Sequence, residues 1–212
     1  GAAVVAALLL AVFVYQGARW LWFDRASREP TTQTIVEAYD AASDRASFRF
    51  VSGAGTFMLE DTCADLLRAE VETNVGRYEL ESEAGDASRE LSMRLMGGGG
   101  RFANVRNRVG IRLHSAPAWD LDFEIGAARL NLDLRPFAVR KLRIEGGVGA
   151  IRVMLGDRAA ESAVAIKAGV SSVHVRVPET AGCEVRIDAP LSSKRVRGFV
   201  REGDGVYRTT DF

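Results

Sequence analysis

Chemistry at a protein site needs side chains that ligate, donate or attack, and this 212-residue sequence offers few, among them two His and two Cys. His114 and His174 stand on the polar phase of alternating runs, with no Cys/His cluster at metal-ligand spacing near either, so a surface role outweighs a metal site. Cys63 and Cys183 pair if the domain is exported; alternatively Cys183, on the apolar phase of its run, is an ordinary buried thiol. Asp120 and Asp122 project to the same side of one run, an arrangement that a solvated face explains. Gly97 to Gly100 is a tetraglycine without the Lys-Ser/Thr pair of a phosphate loop. There is no Gly-x-Ser-x-Gly motif either. These patterns predict a protein without catalytic residues, metal or cofactor, and therefore not an enzyme.

The charged residues are more informative. The formal net charge is zero, with 28 bases against 28 acids, which argues against a general nucleic-acid binder. The neutrality hides two opposed halves: residues 24–100 hold 15 acids and 8 bases, and residues 101–212 hold 13 acids and 19 bases. Only three of the bases are lysines (Lys141, Lys167, Lys194), and arginine is the better partner for planar anions. Two basic clusters are the candidate interaction surface: Arg106, Arg108 and Arg112 on one phase, and Lys194, Arg195, Arg197 and Arg201 near the end. They are read either as solvated strand faces that discourage edge pairing or as a surface for anionic headgroups or an acidic partner subunit.

The elements that carry these residues fall into three segments. Residues 1–23 contain one charged side chain, Arg19, and are long enough to span a bilayer core of about 30 Å. Tyr15, Trp20, Trp22 and Phe23 gather at one end, as rings at a membrane interface do. The expectation is a single-pass transmembrane helix in a bacterial cytoplasmic membrane, with the following domain extracytoplasmic. Residues 24–46 read as a polar linker containing Pro30 and a short juxtamembrane helix over Ile35 to Ala46, with Ile35, Val36, Tyr39 and Ala42 on one side. Residues 47–212 read as a mainly β domain, because apolar and polar residues alternate in Val105–His114, Leu130–Arg135, Ile151–Leu155, Val173–Val177 and Cys183–Ile187.

An internal repeat runs through that domain. FEIGAARLNLDL from Phe123, IEGGVGAIRVML from Ile144 and IKAGVSSVHVRV from Ile166 superpose at spacings of 21 and 22 residues, and each carries a glycine at the same place: Gly126, Gly147 and Gly169. A weaker early copy lies at Phe50, Gly53, Phe57 and Leu59. One unit cannot bury its own apolar stripe, so copies must stack. The pattern predicts stacked β-hairpins or a solenoid-like sheet, in which the glycines supply positive φ at a turn or room for close packing. A β-sandwich is the alternative.

The stretches WDLDFEIGAARLNLDLRPFAVRKLRIEGGVGAIRVMLGD and AGVSSVHVRVPETAGCEVRI, with the Gly146-Gly147 pair, the Val175-x-Val177-Pro178 strand end and the terminal Gly205-x-Tyr207, resemble the toastrack β domain of LiaF-type cell-envelope stress proteins. The resemblance is good over residues 119–212 and implies a non-enzymatic, membrane-tethered module that senses or binds other envelope components. Two functional expectations follow. The first is an accessory subunit of a larger membrane complex, photosynthetic or respiratory for example. Its helix would pack through the small residues Gly1, Ala2, Ala3, Ala6 and Ala7. The second is an envelope-stress sensor or regulatory adaptor. Membrane lipid and other membrane-protein subunits are the expected partners, and nucleic acid is not.

Overall fold

The computed structural model describes residues 29–97, 104–178, 182–188, 193–197, 200–203 and 205–208. The expected membrane helix and its ring belt (Tyr15, Trp20, Trp22, Phe23) lie outside these residues. Among the described residues no helix is long and apolar enough to cross a membrane.

The described residues of the domain form fourteen strands: β1 (Thr31–Glu37), β2 (Arg45–Ser52), β3 (Gly55–Thr62), β4 (Leu67–Thr73), β5 (Arg77–Gly85), β6 (Ser88–Met96), β7 (Asn107–Leu113), β8 (Ala118–Leu134), β9 (Ala138–Leu155), β10 (Glu161–Arg176), β11 (Gly182–Asp188), β12 (Ser193–Arg197), β13 (Val200–Gly203) and β14 (Val206–Arg208). The first corrects the sequence reading. Residues 31–37 form a strand, antiparallel to β4, and residues 38–46 hold a turn and the start of β2 rather than a helix. The run TTQTIVE is rich in β-branched side chains, whose restricted χ1 suits a pleated strand better than a helix, and that preference prevails over the weak helical spacing of Ile35, Tyr39 and Ala42.

The repeat is a stack of parallel rungs, not of hairpins. β8, β9 and β10 are 17, 18 and 16 residues long and lie side by side in parallel. Phe123 is in register with Ile144 and Leu132 with Val153; Ile144 in turn is in register with Ile166 and Val153 with Val175. These offsets of 21 and 22 residues equal the sequence repeat, so each copy is one rung. Each long strand has two arms. The first arms continue a sheet of order β5-β6-β2-β8-β9-β10-β11-β14-β13, and the second arms a sheet of order β1-β4-β7-β3-β8-β9-β10-β12. The early copy is the preceding rung: β2 and β3, separated at Gly53, pair with the first and second arms of β8.

The expected turn glycines therefore sit at the bends between arms. Gly126 donates its N–H to the Gly53 carbonyl at 3.0 Å. A Cβ on Gly126 would come within 3.2 Å of Gly53, one on Gly147 within 3.2 Å of the Gly126 carbonyl, and one on Gly169 within 2.6 Å of the Gly147 carbonyl. The four glycines form a column, and close approach to the preceding rung is the reason for Gly126, Gly147 and Gly169. None of the four carries a positive φ. The bend brings inward residues of the two arms together around one core. The Phe50 and Phe57 rings, on either side of Gly53, meet edge-on at 5.0 Å, and Phe48, Phe123 and Tyr78 complete the aromatic cluster. Ladders of Leu, Ile and Val continue this core through every later rung, burying the stripe that a single rung leaves exposed.

Candidate interaction surface

With inward positions filled by the core, the outward positions of each arm decide what the molecule presents. On the first arms they form rows of mixed sign. One row runs Glu81, Ser92, Arg49, Asp122, Arg143 across β5, β6, β2, β8 and β9. A second contains Glu124, Glu145 and Lys167 in register. Ion pairs join neighbours: Arg94 with Glu81 at 2.7 Å, Arg49 with Glu124, Arg143 with Glu145 at 2.6 Å and with Asp122 at 3.9 Å, and Lys167 with Glu145 at 3.7 Å. A β-bulge between Trp119 and Asp120 leaves Arg140 as the extra residue, and its guanidinium donates to Asp120 at 2.6 Å. A groove of about 500 Å³ opens on this face, with Ser47, Glu90, Asp120, Asp122 and Lys141 among its lining. Burial, and then the neighbouring Glu124, push the Asp122 carboxyl above its ordinary range. Asp120 and Asp122 are thus held against arginines, an arrangement of a charge ladder rather than of an acid–base pair.

The remaining sequence candidates fall into place one by one. Arg106 and Arg108 are exposed and Arg112 is half-buried, on or beside β7 as expected. The adjacent strand β4 supplies acids to meet them, with Arg112 3.1 Å from Glu70 and Arg108 3.9 Å from Glu72. The acidic half of the chain thereby pairs two of the three arginines of this cluster. Arg106 joins a backbone clasp, its N–H donating to the Asn74 side chain at 2.9 Å. Lys194, Arg195 and Arg197 lie in β12, and Arg201 in β13, so the structure places the second cluster on two different strands at the far end of the stack. His114 is structural: its ring stacks on Tyr39 with centroids 3.7 Å apart, its Nδ1 accepts the Ala116 N–H at 3.1 Å, and its carbonyl accepts the Trp119 indole N–H at 2.9 Å. Both cysteines are thiols. Cys63 donates to the Asp65 carbonyl at 3.1 Å, and burial pushes the Cys183 thiol up to about 12. Among the described residues no group of three His, Cys, Asp or Glu could hold a metal ion.

The sequence reading missed a different face. Outward positions on the second arms of the last rungs are Arg129 on β8, Arg152 on β9, and His174 and Arg176 on β10. Arg152 is in register with His174, which is in register with Arg195; Arg176 is in register with Arg197. Arg129, Arg152 and Arg176 are exposed, and none makes an ion pair with a described residue. The acids nearest in register are engaged elsewhere, Asp133 by Arg135 and Glu60 by Asn131 at 2.7 Å. The Arg135 hydrogen bond holds the Asp133 carboxyl below its ordinary range, so that acid is charged and already partnered. A shallow depression of about 260 Å³ lies here, between Asn131, Arg152, Met154, His174 and Arg176. The signal was present in the repeat: aligned copies put a base at or beside the same outward place, but each base is alone in its own run and becomes a cluster only when rungs stack.

The sequence matches the family described as the N-terminal domain of toast_rack, DUF2154, over residues 25–176. The chain belongs to the toast_rack N-terminal-domain family. This match reaches residues before Arg101, where the sequence resemblance was weak. Among solved structures, the toast_rack chain is similar to a candidate cell adhesion protein from Clostridium sporogenes, at 19% identity and a TM-score of 0.77, covering 87% of this chain and 89% of that one. At that identity the likeness shows a shared fold. A candidate adhesin from Bacteroides fragilis is similar at 9% identity, covering 80% of this chain and 98% of that one, with a TM-score of 0.27 that carries no argument. No curated protein matches the sequence.

Proposed function

We propose that this chain is a non-enzymatic β module of the bacterial envelope, tethered to the cytoplasmic membrane with its β domain extracytoplasmic, and that it acts as a stress sensor or regulatory adaptor of the LiaF type. The observation that carries the proposal is the family match over residues 25–176. The stacked fold agrees with it: laddered outer faces suit contact with other envelope components. Asp120 and Asp122 of the groove are paired with Arg140 and Arg143, and His114 is committed to backbone bonds, which supports a binding role over a catalytic one.

A second reading, an accessory subunit of a larger membrane complex, is favoured by the small residues Gly1, Ala2, Ala3, Ala6 and Ala7, which permit close helix packing. One experiment separates the two. Deleting the chain in its native bacterium and challenging the cells with a cell-wall antibiotic changes the envelope-stress transcriptional response if the chain is an adaptor. An unchanged response, together with loss or shift of a membrane complex on a native gel, contradicts the adaptor and supports the subunit.

A further inference from the structure

We propose that the outer face of the second arms of β8, β9 and β10 is a contact surface for the phosphate-bearing headgroups of an anionic bilayer. The inference rests on the membrane-tethered reading above and names the surface and the partner. Arg129, Arg152 and Arg176 step diagonally across the face. Arg129 is in register with Ala150, two residues before Arg152; Arg152 is in register with His174, two residues before Arg176. Each step moves one strand sideways and two residues along, about 8 Å from the strand and residue spacings of a sheet. Three guanidinium groups so spaced along one face meet three separate anionic groups, and guanidinium suits phosphate oxygens through paired N–H donors. His174 lies in register with Arg152 and two residues before Arg176, and adds a further polar ring to the same face.

Two further features favour a lipid surface over an acidic protein. Val148 and Val170, in register at the bend of β9 and β10, are 56% and 52% exposed, among the few large apolar side chains left in solvent. They lie four residues from Arg152 and His174 on the same strands, so cations and an apolar ridge share two rungs, the combination that interfacial binding uses. Residues 1–23, read as a membrane anchor, would hold the whole chain at a bilayer, where each nearby arginine adds attraction to anionic lipid. The neutralised face of Arg108 and Arg112 is the built-in comparison, since Glu72 and Glu70 meet those arginines.

The test uses the full chain in nanodiscs. In a Cys63→Ser background, where Cys183 is buried, Val170→Cys takes a polarity-sensitive fluorophore. Discs contain either phosphatidylcholine alone or an equimolar mixture with phosphatidylglycerol. The expected result is a blue shift of emission in the anionic discs only, lost in Arg152→Glu/Arg176→Glu and kept in Arg112→Gln. Identical emission in the two lipids, or a shift that survives the double charge reversal, overturns the proposal. Incorporation into discs is scored separately by gel filtration. If the chain does not incorporate, the anchor reading fails on its own. The contact face is then tested by flotation with phosphatidylglycerol vesicles, with loss of flotation in the double variant expected and its retention overturning the proposal.

Discussion

Gly149 and Gly53 both sit at bends between arms, yet their surroundings differ. Gly149 has φ +153°, and a Cβ there would lie 1.7 Å from the Ala128 carbonyl oxygen of the preceding rung; a Cβ on Gly53 meets nothing within 4 Å. Gly149→Ala should lower unfolding free energy by about 2–3 kcal/mol, as substitutions at strained or overpacked backbone do, whereas Gly53→Ala should fall within about 0.5 kcal/mol. Urea unfolding of the two variants checks the contrast. Tyr78 is a second point of leverage. Its hydroxyl is 2.6 Å from Ser52 Oγ and donates to Asn107 Oδ1 at 3.0 Å, and Asn107 is only 4% exposed. Tyr78→Phe leaves that buried amide short of a donor and should cost about 1–3 kcal/mol. Cys183 gives the fold a pH dependence with a definite sign. Burial, then Glu184, raise its thiol from 9.0 to about 12, so the folded state holds the proton more tightly than the unfolded state does. The contribution is complete below pH 9.0 and is lost as pH rises through about 12. Unfolding midpoints measured across alkaline pH should fall, and should fall less steeply in Cys183→Ala.

Among the elements, β1 shows how the first end of the stack is closed. β1 pairs only with β4, but the Gln33 amide copies a strand neighbour, donating to the Tyr78 carbonyl at 2.7 Å and accepting the Tyr78 N–H at 3.1 Å. Gln33→Ala should therefore speed hydrogen exchange in β1 and β5 while leaving β9 and β10 protected; uniform acceleration would show that the clasp is not local. Surface ion pairs matter less. Arg112→Ala, which removes the surface ion-pair partner of Glu70, should change stability by less than about 1 kcal/mol. The rungs themselves were legible in the sequence, because a repeat of 21 and 22 residues with alternating Leu, Ile and Val is a direct image of the register. Strand direction was not, since alternation has the same period in parallel and antiparallel pairs. Residues 31–37 were misread because two turns of weak helical spacing resemble a short strand with Ile and Val at its end. The glycines were found, but only the stacked backbone distinguishes a turn from a close approach.

At the scale of the whole molecule, the opposed charges of the two halves are partly a matter of self-pairing. β4 and β5 bring acids to the arginines of β7 and β6, and acids and bases of the first arms pair with one another. What this pairing leaves over is the basic outer face of the last rungs, at positions that were invisible one run at a time. On the proposed lipid contact, that face rather than the cluster at Arg106, Arg108 and Arg112 is the place where the molecule acts. The most direct measurement replaces each set by alanine in the full chain in its native bacterium and follows the envelope-stress response to a cell-wall antibiotic at equal protein abundance. Arg129→Ala/Arg152→Ala/Arg176→Ala should abolish the contribution of the chain to that response, and Arg106→Ala/Arg108→Ala/Arg112→Ala should leave it intact; the opposite pattern, or two silent variants, would contradict the account.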